Sequence, residues 1–139
     1  MDFVPTMLEL VGAEKSASRT AADGVSFALL LRGETATPHQ ELFWHYPHYW
    51  HGGVVTPYSV ARVGDWKLIR FCELDREELY NLRDDLSQKY DLAASNPAKV
   101  KELHAKLLAW RKEVGALMPT PNPDFDPAGP KPKAKKKKK

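Results

Sequence analysis

Gly64-Asp65 sits between two apolar-rich runs of equal length, Tyr58–Val63 and Trp66–Phe71, and no other feature restricts the fold as much. A two-residue connection of this kind closes an antiparallel hairpin through a turn that needs positive φ, where glycine has no Cβ to clash. Side chains alternate along such strands. Trp66, Leu68 and Arg70 therefore share one face, and Lys67, Ile69 and Phe71 the other. More sheet is expected on either side. Glu41–Tyr46 is rich in aromatics and bounded by Pro38 and Pro47, which suits a strand. Glu78–Leu82 suits a short strand ahead of an acidic loop carrying Asp84, Asp85 and Asp91.

Helical spacing appears at both ends of this β region. Val4, Met7, Leu8 and Val11 predict a helix over 2–12, with Asp2 as its N-cap, Pro5 in its first turn and Gly12 as its stop. Glu14–Thr20 reads as loop. Asp23-Gly24 opens a further element that runs through Leu29-Leu30-Leu31 and closes at Arg32-Gly33-Glu34 as a short helical turn. Downstream, Asn96 is the expected cap and Pro97 the first residue of a long helix. Val100, Leu103, Leu107, Trp110 and Val114 form one stripe along it, and Gly115 ends it. The fold class expected is α+β: an antiparallel sheet of three or four strands packed by a C-terminal helix, with a separate N-terminal helix. The expected division is 1–36, 37–118, and a Pro-rich strap with a disordered Lys tail over 119–139.

Charge and cysteine content narrow the function classes. The chain has 21 Lys and Arg against 18 Asp and Glu, but seven of the lysines lie in 130–139, leaving 14 against 18 in the rest. The body is mildly acidic and offers no basic face for nucleic acid. No run approaches the roughly 18–20 apolar residues of a membrane span. The first residues, Met1-Asp2-Phe3-Val4-Pro5, do not read as a signal peptide, and they leave the compartment unassigned. The single cysteine, Cys72, excludes an internal disulfide and a thiolate zinc cluster.

Five segments in order resemble the C-terminal portion of type I, formylglycine-dependent sulfatases, the arylsulfatase-like hydrolases of sulfuric esters. They are D-F-V-P-T-M-L-E-L-V-G-A at 2–13, D-G-V-S-F-A-L-L-L-R-G-E at 23–34, V-A-R-V-G-D-W-K-L-I at 60–69, E-L-Y-N-L-R-D-D-L-S-Q-K-Y-D-L-A at 78–93 and M-P-T-P-N-P-D-F-D-P at 118–127. The resemblance implies that the N-terminal helix is left over from an alkaline-phosphatase-like catalytic domain absent from this chain, which would be the chain's natural partner. It also implies that the parent chemistry uses a formylglycine, made from a C/S-x-P/A-x-R motif, and a calcium ion. Both would lie N-terminal to this chain, so no catalytic residue, metal ligand or cofactor is expected here, and the parent enzymes are usually exported. The 2–12 helix and one sheet face should then expose an apolar patch.

Cys72-Glu73-Leu74-Asp75-Arg76 has the C-x-x-x-R spacing, but Leu74 stands where the motif needs Pro or Ala, and it is dismissed as a nucleophile site. The remaining chemistry-bearing cluster is Phe43 to Gly53, which leaves a strand and enters a glycine loop. His45, His48, Trp50 and His51 are the candidate substrate-binding residues, since imidazoles donate to sulfate or hydroxyl oxygens and indoles stack on sugar rings. Core packing, or a transition metal held by the three histidines, are the competing readings of the same cluster. Arg62, Lys67 and Arg70 read as a solvated face with anion-binding capacity. Two functions follow: an inert C-terminal fragment of a sulfatase acting on sulfated sugars, or a non-catalytic module that binds sulfated glycans.

Overall fold

The structure, a computed structural model, describes residues 1–13, 24–35, 38–50, 55–120 and 122–123. The chain divides into two compact units, Met1–Glu41 and Leu42–Lys139. The lysine tail, His51 and the Gly52-Gly53 pair lie outside the described residues.

In the first unit, helix α1 (Phe3–Leu10) contacts the single-turn helix α2 (Ala28–Leu31). Thr6 is the one buried residue of α1, and its hydroxyl accounts for the arrangement. Thr6 Oγ1 donates to the Asp2 carbonyl at 2.6 Å and accepts the Phe27 amide at 3.0 Å, so a buried polar group and a loop amide satisfy each other. Asp2 does not cap α1 with its side chain as expected. Its carboxylate instead accepts the Val25 amide at 3.1 Å and pairs with His39 at 2.9 Å, partners too distant in sequence for local spacing to reveal. Gly24 is needed here because a Cβ at that position would lie 2.5 Å from the Met1 carbonyl carbon. Phe3 and Phe27 meet edge-on at 5.5 Å.

The second unit holds a four-stranded antiparallel sheet of β1 (Glu41–Tyr46), β2 (Tyr58–Val63), β3 (Trp66–Phe71) and β4 (Arg76–Asn81), in spatial order β1-β2-β3-β4. The β2–β3 hairpin pairs Val63 with Trp66 and Tyr58 with Phe71. Gly64 has φ of 56° while Asp65 keeps negative φ, the signature of a type II′ turn. β4 starts two residues earlier than expected. Arg76 and Glu77 are polar, yet they pair with Phe71 and Arg70 and extend the strand. The free edge of β4 is closed by the acidic loop: Asp91 Oδ1 accepts the Leu79 amide at 3.0 Å and the Ala93 amide at 2.9 Å.

Helix α3 (Pro97–Glu113) packs against β2 and β3. Leu68, Leu79 and Leu103 are fully buried and form the core, with Val63, Trp66, Leu92, Ala93 and Val100 around them. Each such leucine contributes about 1.5–3 kcal/mol by burial. Leu107 is also fully buried, and Trp110 stacks on Phe43 at 5.3 Å. Two expectations for α3 need correction. Val114 is 54% exposed, because it is the C-cap residue beyond the last turn rather than part of the packed stripe. Asn96 makes no side-chain cap; its amide donates to the Leu92 carbonyl at 3.3 Å and to Ser95 Oγ at 3.0 Å.

Candidate functional site

Strand alternation splits the aromatic–histidine cluster. His45, the penultimate residue of β1, lies between Ser59 Oγ at 2.8 Å from Nδ1 and the Leu117 carbonyl at 2.7 Å from Nε2. A carbonyl can only accept, so Nε2 donates to Leu117, while Nδ1 shares its hydrogen bond with the Ser59 hydroxyl. Ser59 is fully buried. His45 therefore ties the segment after α3 to the sheet, and both its nitrogens are engaged. That leaves neither nitrogen for the metal reading. Among the described residues, no three His, Cys, Asp or Glu side chains converge to hold a metal ion.

Beyond Pro47 the chain leaves the sheet. His48 is exposed, its ring edge-on to Tyr46 at 5.5 Å. Trp50 is 57% exposed and its backbone pairs with Val55 through bonds of 3.1 and 3.2 Å, which closes the base of the loop. The Tyr49 hydroxyl donates to Glu73, and this hydrogen bond, with some desolvation, raises the phenol above its ordinary pKa. The sequence carried no signal for that tether, since Glu73 sits in the β3–β4 turn. The loop thus presents His48 and Trp50 outward from a stem held by backbone pairing, by Tyr49 and by His45 below it.

Cys72 sits in that same turn, half-buried, with its amide donating to the Pro57 carbonyl at 2.8 Å. Arg76, four residues on, lies over the Phe71 ring at 4.9 Å and pairs with Glu78. The C-x-x-x-R spacing is a hairpin turn.

The three cations Arg62, Lys67 and Arg70 do not form one face. Arg70 turns to the helix side, 2.8 Å from Asp75 and 3.9 Å from Glu77. His104 reaches Glu77 Oε1 at 2.9 Å, an ion-pair distance without hydrogen-bond alignment. Arg62 and Lys67 face the other way, into a trough of about 760 Å³ on the side of the sheet opposite α3. Val60, Ile69 and Phe71 line it with Trp44, Tyr46 and Tyr58. At the β4 side of this face, burial and a hydrogen bond to Glu78 push the Tyr80 phenol up to about 12. The alternation of Lys67, Ile69 and Phe71 was the sequence signal for this face, though not for its concavity.

Residues 1–113 match the family model described as N-sulphoglucosamine sulphohydrolase, C-terminal. The chain is 34% identical over 122 residues to a sulfatase of Formosa agariphila, covering 79% of this chain and 22% of that protein. It is 30% identical over 112 residues to the Delta 4,5-hexuronate-2-O-sulfatase of Bacteroides thetaiotaomicron, again covering 22% of the relative and 78% of this chain. Among solved structures, a protein in complex with its substrate D-glucosamine-2-N,6-O-disulfate superposes with a TM-score of 0.61 at 29% identity, over 82% of this chain and 24% of that one. A 2-O GAG sulfatase superposes at 0.65 and 24% identity, over 83% and 25%, and supports the fold. The chain thus spans about a fifth of the length of the curated relatives it matches.

Proposed function

The chain belongs to the N-sulphoglucosamine sulphohydrolase C-terminal family, and from that premise we propose that it is the C-terminal portion of an enzyme that hydrolyses sulfate esters of sugars. The observation that carries this reading is the family match over residues 1–113, combined with relatives of which it spans 22%. Relatives named for a 2-O-sulfated hexuronate and solved with a disulfated glucosamine support the substrate class. In this reading residues 1–36 form the edge of the catalytic fold, 37–118 the C-terminal subdomain, and 119–139 a strap and tail. The formylglycine and calcium ion of type I sulfatases belong to the catalytic half, and this chain by itself carries no turnover.

The loop after β1 is the part of the chain assigned to substrate. Exposed His48 can donate to a sulfate or hydroxyl oxygen, and Trp50 offers an indole face for a sugar ring. His51, which lies outside the described residues, is assigned the same role from its sequence position, and His45 contributes by holding the stem. The test joins this chain to the portion of the Formosa agariphila sulfatase outside its matched segment. Turnover of a chromogenic aryl sulfate or a sulfated disaccharide is expected in the fusion with calcium, and none in the chain alone. His48→Ala and Trp50→Ala should lower kcat/KM for the sulfated sugar more than for the aryl sulfate. A fusion that unfolds cooperatively yet turns over neither substrate counts against the enzyme reading, and sulfated-glycan binding by the chain alone would favour the binding module.

A further inference from the structure

Charge is divided unevenly along this chain. Outside residues 130–139 it holds 14 Lys and Arg against 18 Asp and Glu, a net of −4, while 130–139 holds seven lysines and no acid. Asp124 and Asp126 are the only acids after Glu113. An acidic body repels a polysulfated chain. The lysines do not serve solubility through net charge, because they carry the total from −4 to +3 and so across zero. Their segment also lacks what other polyanions recognise. From Pro127 to Lys139 it contains only Pro, Ala, Gly and Lys, with no aromatic ring to stack on a nucleobase and no large apolar side chain to enter a bilayer. Lysine offers compact, strongly hydrated point charges, which respond to the density of anions rather than to their shape.

These lysines lie outside the described residues, and the structure supplies the mooring upstream of them. After α3 the Leu117 carbonyl accepts from His45 Nε2 at 2.7 Å, and Arg111 donates to Met118 Sδ. Burial does not hold this strap, since the Leu117 side chain is 82% exposed and that of Met118 43%. Polar contact fixes it, and the contact with His45 fixes it to β1. His45 stands two residues before Pro47, where the chain leaves the sheet for the loop of His48 and Trp50. Lys131 follows Leu117 by 14 residues. At full extension it reaches no further than about 50 Å from that hydrogen bond. The basic segment is therefore tethered at the stem of the loop assigned to sugar.

We propose that Lys131, Lys133 and Lys135–Lys139 bind sulfate groups of the same glycan chain whose reacting sugar sits at the His48 and Trp50 loop, so that this segment holds a polymeric substrate on the enzyme. This rests on the sulfatase reading above, and it adds that the substrate is a polysulfated chain rather than a single sugar. A tethered second contact raises affinity through effective concentration without touching the reacting unit. Long chains gain from it. A disaccharide carries too few sulfates to occupy both places and does not.

The test compares the full chain with a length-matched variant, Lys131→Gln and Lys133→Gln with the same change at 135–139, and with Lys→Arg at those seven positions. Binding of heparin and of carrageenan to the chain alone is followed by titration calorimetry. The glutamine variant should bind at least about tenfold more weakly and the arginine variant no more weakly than the parent, whose binding should fall at least about tenfold between about 50 and about 200 mM salt. In the fusion to the Formosa agariphila portion, these polymers should inhibit aryl sulfate turnover about tenfold less well once the lysines are replaced by glutamine, while inhibition by a heparin disaccharide is unchanged. Turnover with equal inhibition in parent and glutamine variant overturns the role of the lysines and leaves the sulfatase reading intact. Lysine-dependent polymer binding without turnover keeps the polyanion contact and removes the enzyme. Equal polymer binding by the parent and glutamine chains overturns the proposal whether or not the fusion turns over, and such binding, where Trp50→Ala abolishes it, belongs to the binding-module reading. Tighter binding of duplex DNA, or of phosphatidylserine vesicles, than of either glycan would assign the lysines to those surfaces and overturns the proposal as well.

Discussion

Helices α1 and α3 are opposites in how they use their apolar residues. α3 is the more polar helix, yet Leu103 and Leu107 are completely buried against the sheet. α1 is largely apolar, yet the residue it buries is a threonine, while Phe3 is 67%, Met7 53% and Val11 74% exposed. Burial of apolar area drives packing. A helix that hides a hydroxyl and shows its hydrophobic side chains is therefore held by something other than its own hydrophobic stripe. In α1 that is a hydrogen-bonded junction: Thr6 to Phe27, and Asp2 to Val25 and His39. One helix is fixed by its core, the other by polar contacts with its apolar surface left over.

The sharpest way to break this comparison is to truncate both helices. Leu103→Ala should cost about 2–5 kcal/mol, because it opens a cavity between α3 and the sheet. Met7→Ser should cost less than about 0.5 kcal/mol, as for an exposed position. Urea unfolding followed by far-UV circular dichroism measures both. If the two variants lose comparable stability, Met7 is covered in solution and the contrast between the helices fails.

Two further substitutions probe the polar junction itself. Gly24→Ala drives a Cβ into the Met1 and Asp2 backbone, and the shift this forces should cost about 1–3 kcal/mol within the first unit. Thr6→Val keeps the shape but leaves the Phe27 amide without its acceptor, a loss of about 1–3 kcal/mol if that amide stays buried. Amide hydrogen exchange at Phe27 resolves the second case. Exchange as slow in Thr6→Val as in the parent would mean that the hydroxyl is not the acceptor that holds α1.

The same contrast decides what could be seen in the sequence. The β2–β3 hairpin and β1 were legible to the residue, since alternating runs on either side of Gly64-Asp65 leave little freedom of register. The sheet–helix packing followed from the stripe through Leu103 and Leu107. What escaped was every feature set by a polar partner far along the chain. Asp2 has the composition of a helix cap, and tertiary bonds to Val25 and His39 drew its side chain elsewhere; Asn96 was diverted by local bonds to Leu92 and Ser95 instead. His45 stood out as a candidate ligand-binding residue, but Ser59 and Leu117, 14 and 72 residues away, occupy its nitrogens. The start of β4 was missed for a related reason. Arg76 and Glu77 carry no apolar signal, and only pairing with β3 makes them strand. For the loop of His48 and Trp50, sequence gave the residue types and structure gave the stem.

The smallest expected effect isolates the charge at the α1 junction. The Val25 amide hydrogen bond, aided by the His39 imidazole and opposed by some desolvation, holds the Asp2 carboxyl below the ordinary aspartate range. A carboxyl depressed in the folded state contributes stability that is fully present above the unfolded aspartate pKa and is lost as pH falls through the folded one. Thermal midpoints measured from about pH 5 down to about pH 2 should therefore fall more steeply in the parent than in Asp2→Asn, which has no proton to take up. His39→Gln should retain most of that difference, because the backbone amide is the larger cause. α3 provides the internal control. Leu103 and Leu107 do not titrate, so the stability contributed by the core is the same at both ends of the range, and an Asp2→Asn profile parallel to the parent's would show that the carboxylate has no part in fixing α1.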